Sequence, residues 1–102
     1  MTREDALEAL DKCRILIDDL DLRILALLNE RAGIVEQIGH IKQAAEMAIY
    51  EPRREEQVFE NVMSHNTGPL APDAVKRVIE RIIDEMRKVQ RDRMEADKRQ
   101  CS

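Results

Sequence analysis

Four charged residues interrupt an otherwise apolar stripe in the first part of the sequence. Arg14, Asp21, Arg31 and Lys42 stand at positions where the spacing of the neighbouring Leu, Ile and Val residues predicts an inward-facing side chain. A buried charge is unfavourable unless it is paired. Because three of these four residues are cations and one is an acid, two positive charges lack a partner within the stripe. The pattern predicts a pocket for a ligand with two negative charges, such as a dicarboxylate.

Three further polar residues lie near the predicted inward faces of the other helices. Arg54 and Glu55 precede the apolar pair Val58 and Phe59 by about one helical turn, and Gln90 lies on the apolar stripe of the last helix. The whole set offers cations, one carboxylate and one neutral amide, without a nucleophile–base pair or a phosphate-binding loop. Such a set suits a reaction that is catalysed by positioning and electrostatics rather than through a covalent intermediate.

A purely structural interpretation of the same charges stays open at this point. A polar residue within an apolar seam can fix the register of paired helices, and Asp21 can pair with Arg14 or Arg31 of the same or a facing chain. Taken singly, Arg54, Glu55 and Gln90 are more typical of surface charges and satisfied core amides. The alternative function is therefore a non-catalytic helical dimerisation module.

The elements that position these residues are predicted to be three α-helices, which makes the fold class all-α. The first helix spans about residues 4–43, where inward positions recur every three or four residues. These positions are Leu7, Leu10, Arg14, Ile17, Asp21, Ile24, Leu28, Arg31, Val35, Ile38 and Lys42. Proline openings and the turn at 65–69 predict the other two helices over about 52–64 and 72–98. Residues 99–102 are predicted to be frayed, and the whole of 1–102 is expected to form one domain.

The length of the first helix predicts a second chain. At 1.5 Å per residue, a helix of about 40 residues is about 60 Å long. A compact chain of about 100 residues has a radius of gyration of only ~13 Å. The apolar face of such a helix therefore needs cover from a partner, for which a two-fold homodimer is the commonest arrangement. Gly33 and Gly39 are positions at which another backbone can approach closely.

Composition excludes several other classes of function. The net charge of -4 and the 2% aromatic content argue against nucleic-acid binding. The two cysteines, Cys13 and Cys101, and the two histidines lack metal-ligand spacing, so neither a metal nor another cofactor is expected. No apolar run is long enough for a membrane span. The polar N-terminus does not resemble a signal peptide, and a cytoplasmic location is therefore expected.

Several of these residues occur in a pattern that resembles the all-helical chorismate mutases of shikimate metabolism. The resemblance covers about residues 7–91. It is carried by Arg14 with Ile17 and Asp21, by Gly39 with Lys42, by Ile82, Ile83 and Gln90, and by the runs LALLNERA at 25–32 and EPRRE at 51–55. The two runs together with the Gly-x-x-Lys spacing are fairly specific, whereas each piece alone is weak.

The resemblance implies an intertwined homodimer with two active sites, each built from both chains. In such a site Arg14 comes from the partner chain and binds one carboxylate of the substrate. Arg31 comes from the same chain as the rest of the site and also binds a carboxylate of the substrate. Lys42 and Gln90 donate hydrogen bonds to the ether oxygen whose bond breaks. The implied reaction is the Claisen rearrangement of chorismate to prephenate, on the route to phenylalanine and tyrosine.

The remaining site residues also follow from the resemblance. Glu55 accepts a hydrogen bond from the ring hydroxyl, and Arg54 lines the pocket and adds positive potential. Glu51 stands where an aspartate is common, but its backbone N–H can still bind the substrate hydroxyl. Met86 stands where some members have a serine, which removes one hydroxyl contact to a carboxylate.

A second enzymatic reading comes from the same fold. An isochorismate pyruvate lyase has a similar cationic pocket and would use Arg14, Arg31, Lys42 and Gln90, although the segment 51–55 favours the mutase. Docking on another enzyme of the shikimate pathway is a further partner that the sequence leaves open.

Overall fold

The regular secondary structure of the described part of the chain is entirely α-helical. The computed structural model describes residues 1–100, which contain the helices α1 (Arg3–Ala44), α2 (Pro52–His65) and α3 (Pro72–Gln100). No strand occurs within this range. The predicted all-α class is confirmed, and the predicted helix ends differ from those found by at most two residues, which is within the usual uncertainty of helix boundaries.

The helix α3 extends two residues further than the sequence predicted. Fraying was predicted from residue 99, but Arg99 and Gln100 lie within α3, while Cys101 and Ser102 fall outside the described residues. The reason for the difference is a polar contact shortly before the helix ends. The buried Asp97 lies 2.6 Å from Nδ1 of His40 on α1 and 3.0 Å from Nη2 of Arg93. These contacts hold the end of α3 against α1.

Local hydrogen bonds define both ends of α1. At the start, the backbone N–H of Asp5 donates to the Thr2 hydroxyl (3.1 Å) and the Thr2 N–H donates to the Asp5 carboxylate (3.3 Å), which is a reciprocal cap. At the end, Glu46 adopts a left-handed conformation with φ 56°. The N–H of Met47 then donates to the carbonyl of Lys42 at 2.8 Å, as in a Schellman motif. The chain direction after Lys42 is therefore set by its own backbone.

The start of α2 leaves one carboxylate available for another role. Glu51 is the residue before the helix, and Pro52 takes the first helical position, where its missing N–H does no harm. The Glu51 carbonyl accepts from the N–H of Glu55 at 3.1 Å. Its side chain, however, makes no capping hydrogen bond. The Glu51 carboxylate is thus free to pair with a residue of another helix.

The chain divides into two compact units, Met1–Gly33 and a second that begins at Ile34. The second unit has a small apolar core of Val35, Val75, Ile83 and Met86. In the first unit most of the large apolar side chains are exposed, among them Leu7, Leu10, Ile15, Leu16, Ile17, Leu20, Leu22, Ile24, Leu25 and Leu27. A folded chain seldom leaves so many neighbouring apolar residues uncovered without a partner surface. Within residues 1–100, no helix is both long enough and apolar enough to cross a membrane.

Candidate active site

Lys42 is a buried cation at the end of α1. Its side chain is only 6% exposed, and its Nζ lies 2.6 Å from Oε1 of Glu51. The same Nζ donates to the carbonyl oxygen of Ile49 at 3.1 Å. An ammonium group carries three N–H donors. Two are used by these partners, so one donor is left for a ligand.

Gln90 is a buried amide on α3 whose oxygen has no partner. The residue is 8% exposed, and its Oε1 accepts no hydrogen bond from any described residue. An unpaired buried polar atom typically costs about 1–3 kcal/mol. Rotation of the amide would present its NH₂ donors to a ligand oxygen at the same place. The arrangement is therefore suited to a polar ligand group that supplies the missing hydrogen bond.

Lys42 and Gln90 both lie where α1 and α3 approach each other closely. A Cβ atom added at Gly39 would lie 2.9 Å from the backbone oxygen of Gln90 and 3.3 Å from its Cγ. Gly39 precedes Lys42 by one turn of α1, so both lie on the same face. Met86 precedes Gln90 by one turn of α3 and is buried. The predicted role of Gly39 in a close backbone approach is confirmed, whereas at Gly33 an added Cβ would meet nothing within 4 Å.

Glu55 is held by an arginine that the sequence analysis did not single out. Nη2 of Arg87 on α3 donates to Oε1 of Glu55 on α2. Arg87 also donates to Oδ1 of Asp84 at 3.1 Å, and its guanidinium carbon lies 5.4 Å from the centre of the Tyr50 ring. In the sequence Arg87 belongs to a mixed-charge stretch that resembles a solvated helix face. No local signal relates it to a carboxylate 32 residues earlier.

Arg54 lies apart from this cluster. Its side chain is exposed, and Nη1 donates to Oε1 of Gln57, one turn along α2, at 3.5 Å. Its position next to Glu55 suggested a place at the edge of the pocket. Consecutive helical residues point in directions about 100° apart, so the half-buried Glu55 faces α3 while its neighbour faces outward in the single chain.

Arg14 and Arg31 belong to the first unit, so the structure describes them separately from Lys42. The Arg14 side chain is 67% exposed, and its Nη1 lies 3.6 Å from Asp11 rather than close to Asp21. Arg31 is half-buried. Whether these two arginines converge with Lys42 and Gln90 on one ligand stays a prediction.

No group of three or more His, Cys, Asp or Glu side chains in residues 1–100 is placed to hold a metal ion. Cys13 is an exposed free thiol, and the second cysteine lies beyond this range.

Comparison with known proteins identifies the relatives of the chain. A family model described as chorismate mutase type II matches residues 13–91. A bifunctional chorismate mutase/prephenate dehydratase from Stutzerimonas stutzeri is 36% identical over 88 residues, which is 81% of this chain and 23% of the relative. A protein of the same description from Aquifex aeolicus is 43% identical over 60 residues, 59% of this chain and 17% of that one. The chain thus spans about a quarter or less of the length of these relatives.

A solved structure shares the fold. The structure of a chorismate mutase from Thermus thermophilus superposes with a TM-score of 0.80 at 24% sequence identity, and the match covers 81% of this chain and 94% of that one. The three-helix arrangement is therefore one that a known protein adopts.

The contact at Gly39 predicts opposite effects for two matched substitutions. Gly39→Ala forces a methyl group against the backbone of α3, which is expected to lower the free energy of unfolding by about 1–3 kcal/mol. Gly33→Ala meets no atom within 4 Å and is expected to raise it by up to about 1 kcal/mol through helix propensity. Thermal unfolding followed by circular dichroism at equal chain concentration measures both. Equal effects of the two substitutions would refute a tight contact at Gly39.

Proposed function

We propose that this chain, which belongs to the chorismate mutase type II family, converts chorismate to prephenate. One observation carries the proposal. The buried Lys42 ammonium has one donor to spare, and on the same contact between α1 and α3 the buried amide oxygen of Gln90 has no partner within residues 1–100. A buried cation and a buried neutral donor are suited to an oxygen that becomes negative during a reaction.

The rearrangement makes few chemical demands on the protein. The enolpyruvyl group moves within one molecule, so that an ether C–O bond breaks while a C–C bond forms, and no proton is transferred. Catalysis then depends on holding the flexible dianion in its reactive shape and on stabilising the ether oxygen as it gains negative charge. In the proposed mechanism Lys42 and Gln90 donate to that oxygen. Their fixed positions mean that little reorganisation is needed in the transition state.

The ring hydroxyl of the substrate is assigned to the start of α2. Glu55 accepts its hydrogen bond, and the backbone N–H of Glu51 is a second contact. The side chain of Glu51 has a different role, because it holds the Lys42 ammonium in place. Met86 contributes an apolar wall in place of a hydroxyl contact.

The two carboxylates of the substrate are assigned to arginines. One substrate carboxylate is bound by Arg31 of the same chain, and the other is bound by Arg14 of a partner chain. Arginine suits this role because its planar guanidinium can donate two parallel hydrogen bonds to a carboxylate. Arg54 adds positive potential near the ring carboxylate. These assignments require two chains, so the proposed enzyme is an intertwined homodimer in which residues 1–102 form one domain.

The apolar surface of the first unit supports the dimer. Its Leu and Ile side chains are exposed in the single chain, and burial of apolar area contributes about 25 cal/mol per Å². A second copy of the chain offers a matching apolar surface by symmetry. A role in phenylalanine and tyrosine biosynthesis, a cytoplasmic location and docking on another shikimate-pathway enzyme stay predictions.

Turnover of chorismate tests the proposed activity and the role of Lys42. The purified chain is expected to consume chorismate, followed by its absorbance, and to leave isochorismate unchanged. Lys42→Ala is expected to lower kcat at least 100-fold, in the range found when one preorganised donor is removed. Lys88→Ala, which removes an exposed lysine paired with Glu85, serves as the matched control and should retain activity. Pyruvate release from isochorismate, or retained activity of folded Lys42→Ala, would contradict the proposal.

The dimer is tested by a charge placed on the apolar surface of the first unit. Ile24 is 53% exposed in the single chain, and Ile24→Asp is expected to produce a monomer without turnover because the carboxylate would be buried in the interface. Asn29→Asp adds the same charge at an exposed position outside the stripe and should leave the dimer intact. Light scattering after gel filtration gives the mass of each variant. A wild-type chain that is monomeric and active would exclude a site shared between two chains.

A further inference from the structure

We infer that Arg87 is a positioning residue of this site, which holds the carboxylate of Glu55 in the orientation that accepts the substrate hydroxyl. The inference rests on the proposed function and adds a residue to it. Nothing in the sequence pattern assigned a role to Arg87, and its contacts in the structure are the reason for the proposal.

The geometry shows that Arg87 connects three elements around Glu55. It reaches from α3 to the Glu55 carboxylate on α2, and its guanidinium lies 5.4 Å from the centre of the Tyr50 ring in the segment before α2. A third contact, to Asp84 on its own helix at 3.1 Å, fixes the guanidinium from the other side. The side chains of Glu55 and Arg87 are 19% and 34% exposed. An ion pair screened this far from solvent restrains both partners more than a surface pair does.

The pair leaves one carboxylate oxygen of Glu55 for the substrate. Arg87 donates to Oε1, so this bond does not engage Oε2. An ionised carboxylate only accepts hydrogen bonds, and each of its oxygens can accept independently. The hydroxyl of the substrate can therefore donate to Oε2 while the bond to Arg87 is kept. With Oε1 restrained, the direction of Oε2 is set before the substrate arrives.

Charge gives a second reason for the pairing. A carboxylate next to a dianionic substrate would repel it, and repulsion between like charges is strong where water is scarce. With Arg87 attached, the guanidinium offsets part of the negative charge next to the substrate, although it also pairs with the Asp84 carboxylate. Without Arg87, we expect Glu55 to turn toward solvent, where water stabilises its charge, and away from the hydroxyl.

Tyr50 and Asp84 explain why an arginine is needed at this position. A guanidinium is planar, so it can place one face over an aromatic ring while its edge donates to two carboxylates. A lysine at position 87 would keep the charge but would lose this fixed plane. We therefore expect Arg87→Lys to retain only part of the function of Arg87.

Steady-state kinetics of Arg87→Met test the inference. The contact between Glu55 and the hydroxyl is present in the bound substrate and in the transition state alike. Its loss should therefore change kcat less than about twofold and raise KM about tenfold. A tenfold change corresponds to about 1.4 kcal/mol. A merely structural defect would instead reduce the active fraction, which lowers kcat and leaves KM unchanged. Arg81→Met, which removes an exposed arginine paired with Glu85 on the same helix, is the matched control.

A double-mutant cycle with Glu55→Gln shows whether Arg87 acts through Glu55. In the Glu55→Gln background, Arg87→Met should raise KM less than about twofold, because there is no carboxylate left to orient. An equal effect of Arg87→Met in both backgrounds would overturn the inference and leave only the direct attraction of Arg87 for the dianion. A KM for Arg87→Met equal to that of Arg81→Met would also overturn the inference.

Two further outcomes separate this inference from the proposed function. A wild-type chain that turns over chorismate while Arg87→Met has unchanged KM would refute only the role of Arg87. A folded wild-type chain without turnover would refute both. If Arg87→Met melts at a lower temperature than wild type, Arg87→Lys is used in its place. A KM of Arg87→Lys above that of wild type but raised less than tenfold supports the inference, provided that this rise disappears in the Glu55→Gln background. A KM of Arg87→Lys equal to that of wild type would overturn the inference. A rise in KM that persists in the Glu55→Gln background would overturn it as well.

Discussion

The proposed site depends on one buried charge, the ammonium group of Lys42. An ammonium with 6% of its side chain exposed requires partners, and the chain supplies them with the Glu51 carboxylate and the Ile49 carbonyl. Both partners lie in the short segment between α1 and α2. The segment can reach Lys42 because the backbone turns back directly after α1, where Glu46 adopts a left-handed conformation. The end of one helix and the start of the next are therefore organised around a single cation.

The same principle recurs at Glu55. Glu55 is restrained by Arg87 through one oxygen, as Lys42 is restrained by two of its three donors. In each case a protein partner fixes the direction of a charged group and leaves part of its hydrogen-bonding capacity unused. Gln90 completes the pattern, because its buried oxygen has no partner in the described part of the chain. Such groups are suited to positioning a flexible ligand, since the cost of ordering them is met during folding.

The sequence predicted those features that follow from periodicity and local chemistry. The helices were predicted because apolar spacing and proline positions specify them, and Lys42 and Gln90 were recognised because each interrupts an apolar stripe. Gly39 was also recognised as a place of close approach. The last two residues of α3 were not predicted as helical, because Asp97 contacts a histidine 57 residues away. Arg87 was missed for the same reason, since its partner lies on a different helix and its neighbours in sequence are also charged.

Other features concern the proposed dimer. The exposed apolar surface of residues 1–33 and the exposed position of Arg14 would be explained by an assembly of two chains. Sequence reasoning could propose a dimer from the length of the first helix, because a single chain of this size cannot cover it. The predicted contribution of Arg14 across that proposed interface came from the family resemblance rather than from any local pattern.

The most direct test of the central claim is a crystal structure of the protein with a dicarboxylate mimic of the transition state that contains the ether oxygen. The account predicts that Lys42 Nζ and the Gln90 amide both lie within about 2.7–3.2 Å of that oxygen. Lys42 would keep its contact with Glu51 in such a complex. A mimic bound elsewhere, or bound with Lys42 in contact only with Glu51 and Ile49, would contradict the account.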